Sequence, residues 1–309
     1  MTPEFSVYAS RLASKDEPFK PGHRACVGCC EVLAVRQVAK VLGRDVIMVN
    51  ATGCMEIISS GYPYTNWDVP WIHTLFENTA AVASGVEAAL KIKKRKGSYP
   101  KERNTKVVAM GGDGGTADIG FQALSGMLER GHNILYICYD NEAYMNTGIQ
   151  RSGATPYGAS TTTSPAGSHS IGQTTWKKNM PRIVAAHGIP YIATASPSHP
   201  FDLMAKVKKA AAVNGPAYLH IFSACPTGWR SPSDIAIKHS RLAVQTGVFP
   251  LYEIENGKWR MTVNSDKLLP VTDYFKGQGR FKHLGEKDLE FIQTHVTKEW
   301  EELKKKCEK

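Results

Sequence analysis

The chain has 309 residues, 42% hydrophobic and 21% charged, with a net charge of +10 and a pI near 9.2. That length suits one large α/β domain with appendages or two modest domains, and the longest apolar runs fall far short of a membrane span, so no transmembrane helix is expected. The excess of basic residues admits nucleic acid or an acidic protein as partner, but KIKKRKG (91–97) and KKKCEK (304–309) lack the interleaved aromatics of a single-strand platform and read as solvated surface.

The elements follow in chain order. Residues 1–20, MTPEFSVYASRLASKDEPFK, lack the basic start and apolar core of a signal peptide and read as a polar arm. A cytoplasmic location is expected, where thiols stay reduced and clustered cysteines point to metal or catalysis rather than disulfides. HRACVGCCEV brings Cys26, Cys29 and Cys30 to the start of a helix over 31–42. Strand DVIMV (45–49) runs into NATGCME, which holds Cys54, and a helix is predicted over 74–95. KVVAM (106–110) leads into GGDGG (111–115) and a helix over 118–130, and NILYICY (133–139) leads into YDNEAYMNTG.

The Gly-, Ser-, Thr- and Pro-rich segment 151–175 has no helical period and is longer than most loops, so it is either disordered or functional. YIATA (191–195), a helix over 200–214 and AYLHIF (217–222) precede SACPTGW, which holds Cys225. Residues 231–285 look irregular, with short strands PLYEI and KWRMTV. A final helix over 286–305 places Leu289, Ile292, Val296, Trp300 and Leu303 on one face. Cys307 follows in a charged tail as a bystander, and Cys138 inside its strand reads as a small buried hydrophobe. The alternation predicts an α/β fold: an open, mainly parallel sheet with helices on both faces and no internal repeat. We divide the chain into an arm (1–20), a cofactor domain (21–230) and a C-terminal extension with a terminal helix (231–309).

Four features sit at the carboxyl ends of four predicted strands, the ligand-binding edge of an open α/β sheet. In GGDGG, Gly112 and Gly114 let the backbone approach an anion that a Cβ would obstruct, and Asp113 offers a hard carboxylate for Mg²⁺. The following helix N-terminus favours a phosphate. Asn141, one helix and one strand later, is the next oxygen donor. This Gly-Asp-Gly followed by Asn resembles the signature of thiamine-diphosphate enzymes. The resemblance implies that Asp113, the Asn141 side chain and the Ala143 carbonyl hold the metal of the diphosphate.

Cys26 and Cys29 form a C-x-x-C before a helix, suited to metal ligation or redox chemistry because a helix N-terminus stabilises thiolates. With Cys54 and Cys225 at the same edge, four soft thiolates suit Zn²⁺ or a [4Fe–4S] cluster. Scattered ligands converging beside an organic cofactor favour electron transfer over a zinc knuckle.

From about residue 21 to 230, GHRACVGC, NATGCMEI, YPYTNWDVPWIHTLFENTAAVASGVEAA, the run from GGDGGTADIG to GASTTT, and SACPTGWR resemble the β subunits of pyruvate:ferredoxin oxidoreductase, within the 2-oxoacid:ferredoxin oxidoreductases. The resemblance implies a [4Fe–4S] cluster on Cys26, Cys29, Cys54 and Cys225, and contact of Glu31 with the thiamine. It also implies a diphosphate loop of Gly112, Asp113, Gly114 and Gly115, and Asn146 near the reacting carbon. Family members often carry glycine where this chain has Cys30, which we read as a spare thiol.

The implied reaction is oxidative decarboxylation of a 2-oxoacid by coenzyme A, with electrons passing to ferredoxin. His73 is a possible proton carrier, against a capping or packing role at a loop-to-helix junction. Glu56, Glu77 and Glu87 are ordinary helix or turn carboxylates, so the glutamate that activates the thiamine should come from an α chain, alongside γ and ferredoxin-like δ chains. Branched-chain, indole-pyruvate, 2-oxoglutarate or oxalate oxidoreductases remain as alternatives of substrate. A zinc-stabilised basic nucleic-acid-binding protein would leave Asp113 and Asn141 unexplained.

Overall fold

A computed structural model describes residues 14–61, 63–265 and 267–308; residues 1–13 of the N-terminal arm lie outside the described residues. Six parallel strands form the centre of the sheet: β1 (Val46–Ala51), β2 (Trp71–Thr74), β3 (Lys106–Gly112), β4 (Ile134–Asp140), β7 (Tyr191–Ala195) and β8 (Ala217–Phe222). β5 (Ala166–Gly167) and β6 (Ser170–Ile171) pair separately as a small hairpin. An antiparallel hairpin, β9 (Tyr252–Glu255) and β10 (Lys258–Met261), extends the sheet beyond β7, giving the order β10-β9-β7-β8-β4-β3-β1-β2.

Alternate residues of each strand face opposite sides, so the sheet feeds two cores. Val108, Met110, Leu135 and Ile137 pack under α1 (Cys30–Leu42) and α6 (Pro200–Ala212). Val107, Ala109, Ile134 and Tyr136 pack under α3 (Thr79–Arg95), α4 (Phe121–Glu129) and α5 (Met180–Ala185). Cys138 is fully buried in this second core, as its place in a strand predicts.

Several elements differ from the sequence reading. Residues 71–74 form the edge strand β2, and helix α3 begins only at Thr79. The helix read over 74–95 began five residues early, taking in Thr74 at the end of the strand and the turn over 75–78 that leads into α3. The chain after Asp113 turns helical sooner than predicted, through a π-type turn at Gly115–Ile119 that precedes α4. Residues 231–285 are not irregular. They hold α8 (Ala236–Gln245) and α9 (Val271–Phe275) besides the hairpin, and these pack with Phe222, Trp229 and the terminal helix α10 (Glu286–Cys307) in a third core.

In α10, Ile292, Val296, Trp300 and Leu303 are buried as predicted. Cys307 is the last residue of α10 rather than part of a free tail, and packs against the second core. The described part of the arm is docked. Phe19 is buried edge-on to Trp67 at 4.8 Å between ring centres, and Glu17 pairs with Arg36 (2.7 Å) and Lys40 (2.7 Å) of α1. No helix among the described residues is long and apolar enough to cross a membrane.

Candidate active site

The carboxyl ends of β1, β3 and β4 open into one cleft, walled by Glu31, Cys54, Gly112, Asp113, Gly114, Gly115, Asn141, Ala143 and Asn146, with Thr52, Phe76 and Tyr144 beside them. Parallel strands put all their carboxyl ends on one edge, which is why residues far apart in sequence meet here. Larger cavities exist elsewhere, including one of about 170 Å³ beneath α10, but none of these residues lines that cavity.

Asp113 is 1% exposed, and Ser152 Oγ donates to its Oδ2. Burial, and next the Asp140 carboxylate, push the Asp113 carboxyl well above its ordinary range. A divalent cation would offset both penalties. The Asn141 amide is already oriented: its Nδ2 donates to Glu31 Oε2 at 3.1 Å, while its Oδ1 is buried with no partner among the described residues. A buried carbonyl oxygen without a donor is costly, and a hard cation is its natural partner. A Cβ on Gly112 would project into open space at the cleft wall, so glycine leaves that volume to a ligand. A Cβ on Gly114 would lie 2.3 Å from the Tyr144 ring, whose hydroxyl donates to Gly114 O at 3.0 Å. The residues present therefore fit a metal-bound diphosphate.

Glu31 is 5% exposed, and burial raises its carboxyl to about 7 against the opposing hydrogen bond from Asn141. Asn146 lies exposed at the mouth. His73 sits on β2 and caps no helix; Asn78 precedes α3. Its Nε2 is 2.8 Å from Thr52 Oγ1 and 3.7 Å from Glu56 Oε2, at the margin of the cleft. Glu87 lies elsewhere, paired with Lys91 and His132.

The thiols gather on the same side. Cys29 precedes α1, Cys54 opens α2 (Cys54–Ser59), and Cys225 caps α7 (Pro226–Trp229). Cys54 lies in the field of Glu31, Cys225, Cys29 and Asp113, and Cys225 in that of Glu31 and Cys26. Burial, then Glu31, raises the Cys29 thiol to about 12, and burial raises Cys225 to about 11. Desolvation therefore outweighs any help from the helix N-termini at Cys29, Cys54 and Cys225, and these thiols would ionise on binding a cation. Among the described residues no three His, Cys, Asp or Glu side chains close on a single ion. Cys26, Cys29, Cys54 and Cys225 are the soft donors on this side, of a type that suits Zn²⁺ or an iron–sulfur cluster.

Cys30 points away from this group. It is 1% exposed in the third core, where Ser240 Oγ donates to its sulfur at 3.6 Å.

Sequence reasoning missed the residues that hold the cleft in shape. The 151–175 segment is ordered: Thr155 Oγ1 donates to Glu142 O at 2.8 Å, and the Gly153 N–H donates to Asp118 Oδ2 at 2.7 Å. Its Ser-Gly-Ala-Thr start, beside two strand ends, was the available signal. Trp229 Nε1 donates to Asn141 O at 3.0 Å. Asp140, although burial opposes its ionisation, is held well below the usual carboxylate range by Lys177 and His220.

Residues 51–221 match the thiamine pyrophosphate enzyme family, C-terminal TPP binding domain. The chain is 56% identical over 282 residues to pyruvate synthase subunit PorB of Methanocaldococcus jannaschii, covering 91% of this chain and 95% of that protein. It is 50% identical over 295 residues to ketoisovalerate oxidoreductase subunit VorB of Pyrococcus furiosus, covering 95% and 94%. Among solved structures, 2-oxoglutarate:ferredoxin oxidoreductase from Magnetococcus marinus matches with a TM-score of 0.56 and 25% identity, over 74% of this chain and 81% of that chain. Apart from Glu31, the residues that line the cleft at the ends of β1, β3 and β4 lie inside the thiamine pyrophosphate match, and the relatives span almost the whole chain, so the protein belongs to the thiamine-pyrophosphate-binding oxidoreductase subunits that include PorB and VorB.

Proposed function

We propose that this chain is the β subunit of a pyruvate:ferredoxin oxidoreductase, converting pyruvate and coenzyme A to acetyl-CoA and CO₂ while reducing ferredoxin. The observation that carries the reading is the cleft itself, where Glu31, Gly112–Gly115, Asn141 and Asn146 meet beside Cys54. Asp113, Asn141 Oδ1 and the Ala143 carbonyl hold Mg²⁺, and Cys26, Cys29, Cys54 and Cys225 hold a [4Fe–4S] cluster. Thiamine diphosphate, when bound, supplies the carbanion and the electron sink for loss of CO₂.

The chain's own residues do the rest. Gly112 leaves the diphosphate its volume, and Glu31 fixes the Asn141 amide so that its oxygen faces the metal. Asn146 at the mouth can donate to charge developing on the bound substrate. The four cysteines place a one-electron acceptor within reach of the same cleft. The described residues hold one large α/β sheet and no second copy of it, so the carboxylate that activates the thiamine is assigned to an α chain. The γ chain and a ferredoxin-like δ chain or ferredoxin complete the assembly, in the cytoplasm, and the basic surface suits an acidic electron carrier.

A second reading is oxidation of 2-oxoisovalerate. Within Pyrococcus furiosus the VorB subunit is 50% identical to this chain and the PorB subunit 48%, so overall identity does not rank the two substrates. The test is the complex purified without oxygen. Iron, sulfide, zinc and thiamine diphosphate are measured, and viologen reduction is followed with a panel of 2-oxoacids and oxalate. Iron, sulfide and thiamine with fastest turnover of pyruvate is the expected result. A zinc protein without iron would overturn the cluster, and preference for a branched substrate would select the second reading.

A further inference from the structure

Glu142 stands between the two proposed metal donors Asn141 and Ala143, yet it does not line the cleft. It is 1% exposed and has a positive φ of 71°, a left-handed conformation that a residue with a side chain adopts only when its surroundings impose it. Every polar group of this residue is engaged. Its N–H donates to Asp140 Oδ1 (2.9 Å), and its carbonyl accepts from Thr155. Oε1 accepts from Lys177 Nζ (3.0 Å), and Oε2 accepts from Arg280 Nη2 (2.6 Å) and Tyr274 OH (3.3 Å).

Arg280 is 2% exposed, lies 3.9 Å over the Trp229 ring, and reaches Glu142 from the C-terminal extension. Trp229 in turn donates to the Asn141 carbonyl. Sequence distance hides all of this: the extension carries no residue of the cleft, yet it supplies the cation behind it.

We propose that the C-terminal extension completes the cofactor site from behind, Arg280 together with Lys177 clamping Glu142 in its left-handed conformation so that the Asn141 oxygen and the Ala143 carbonyl face the metal of thiamine diphosphate. This rests on the metal assignment made above. Arg280 and Glu142 are positioning residues, touching neither cofactor nor substrate. With Glu142 turned outward to the clamp, residues 141 and 143 on either side of it both face the cleft. Releasing the carboxylate lets the turn relax toward ordinary φ values and carries both donors off target.

The experiment uses the whole complex, stripped of thiamine diphosphate and Mg²⁺. The Mg²⁺ concentration that half-saturates thiamine diphosphate binding is measured by calorimetry, together with the thermal midpoint of the stripped complex. In E142Q and R280K we expect half-saturation to need about tenfold more Mg²⁺, the scale typical of residues that orient metal ligands, alongside whatever fall in thermal midpoint the weakened buried ion pair brings. E142G, which adopts a positive φ freely, should bind more tightly than E142A, which does not. An ion pair that merely stabilises the fold would lower the midpoint and leave half-saturation where it was, and that result overturns the proposal. R280M leaves a buried carboxylate short of one cation; if it does not fold, E142Q and R280K decide. D113N is the control for the site: if it retains metal-dependent binding, the metal assignment itself fails, independently of the clamp.

Discussion

The turn proposed to hold the metal and the thiol loops occupy the same edge of the sheet but are built in opposite ways. At the turn, Asp113 and Asn141 are almost fully buried, and Ser152, Glu31, Thr155 and Trp229 hold the surrounding polar groups; the Asn141 oxygen is left over. The site is shaped before anything binds, so little ordering cost remains. At the thiol loops, Cys26 is exposed, while Cys29, Cys54 and Cys225 are half-buried and burial makes the thiols of these three resist ionisation. On the cluster assignment proposed above, those loops would gain their geometry from a guest. A preformed site should lose affinity by degrees when a support is removed, whereas a guest-ordered site should fail outright when a ligand is removed.

The largest expected effect follows from that contrast. In the complex, Cys54→Ala or Cys225→Ala should abolish the iron of this subunit, whereas Cys30→Ala should retain it, since that sulfur faces Ser240 in the third core. Iron and sulfide analysis decides the matter, and retention of iron in both the Cys54 and Cys225 variants would remove the guest from the comparison. At the preformed turn the effect should be graded. Ser152→Ala deletes a hydrogen bond to a carboxylate, worth about 1.5–3 kcal/mol, and so should raise the Mg²⁺ requirement for thiamine diphosphate by roughly ten- to a hundredfold. An unchanged Mg²⁺ titration would show that the turn does not depend on its supports.

The same contrast marks what could be read without a structure. The cleft residues were legible because chemistry restricts their types: Asp113, Asn141 and Cys54, which the structure brings together, each follow a strand within a few residues, and the proposed ligands Cys26, Cys29 and Cys225 follow the same pattern of a strand end or a helix start. The supports were not. Serine, threonine, arginine and tryptophan occur everywhere, and nothing local ties Ser152 to Asp113 or Arg280 to Glu142. The parallel strands and their order of residues were legible from short β-branched runs. β2 was not, because an edge strand of four residues lacks both the length and the burial of its neighbours. Helix α8 escaped because its buried face includes His239 and Ser240, which break its apolar stripe.

The remaining predictions concern the opposite pole, where no ligand is expected. Lys106 begins β3, the strand whose far end delivers Asp113, and is 6% exposed with its ammonium on Asn133 Oδ1 (2.5 Å) and Val213 O (2.7 Å). Burial lowers it to about 8, against a partial opposing effect of Glu87. Below pH 8 the folded protein bears the full penalty of a buried charge. Between about 8 and the unfolded value of roughly 10.4 the unfolded chain binds more protons, so the wild type should gain stability as pH rises. Lys106→Met should flatten that rise in urea unfolding of the complex and leave the Mg²⁺ titration unchanged. A shift in Mg²⁺ affinity would mean that the two ends of β3 are coupled.

The smallest effect is expected at the arm. Arg36, and then Lys40, hold Glu17 down to about 2. Because the folded value lies below the unfolded one, the contribution is present above about pH 4.3 and fades as pH falls toward 2. The pair is solvent-exposed on the arginine side, so Glu17→Gln should cost no more than about 1 kcal/mol at neutral pH. That loss should vanish in acid, and the iron content should stay intact even though α1 carries Glu31 and follows Cys29. If iron fell in Glu17→Gln, the arm would be shaping the thiol loops, and those loops would be ordered by the protein as well as by their guest.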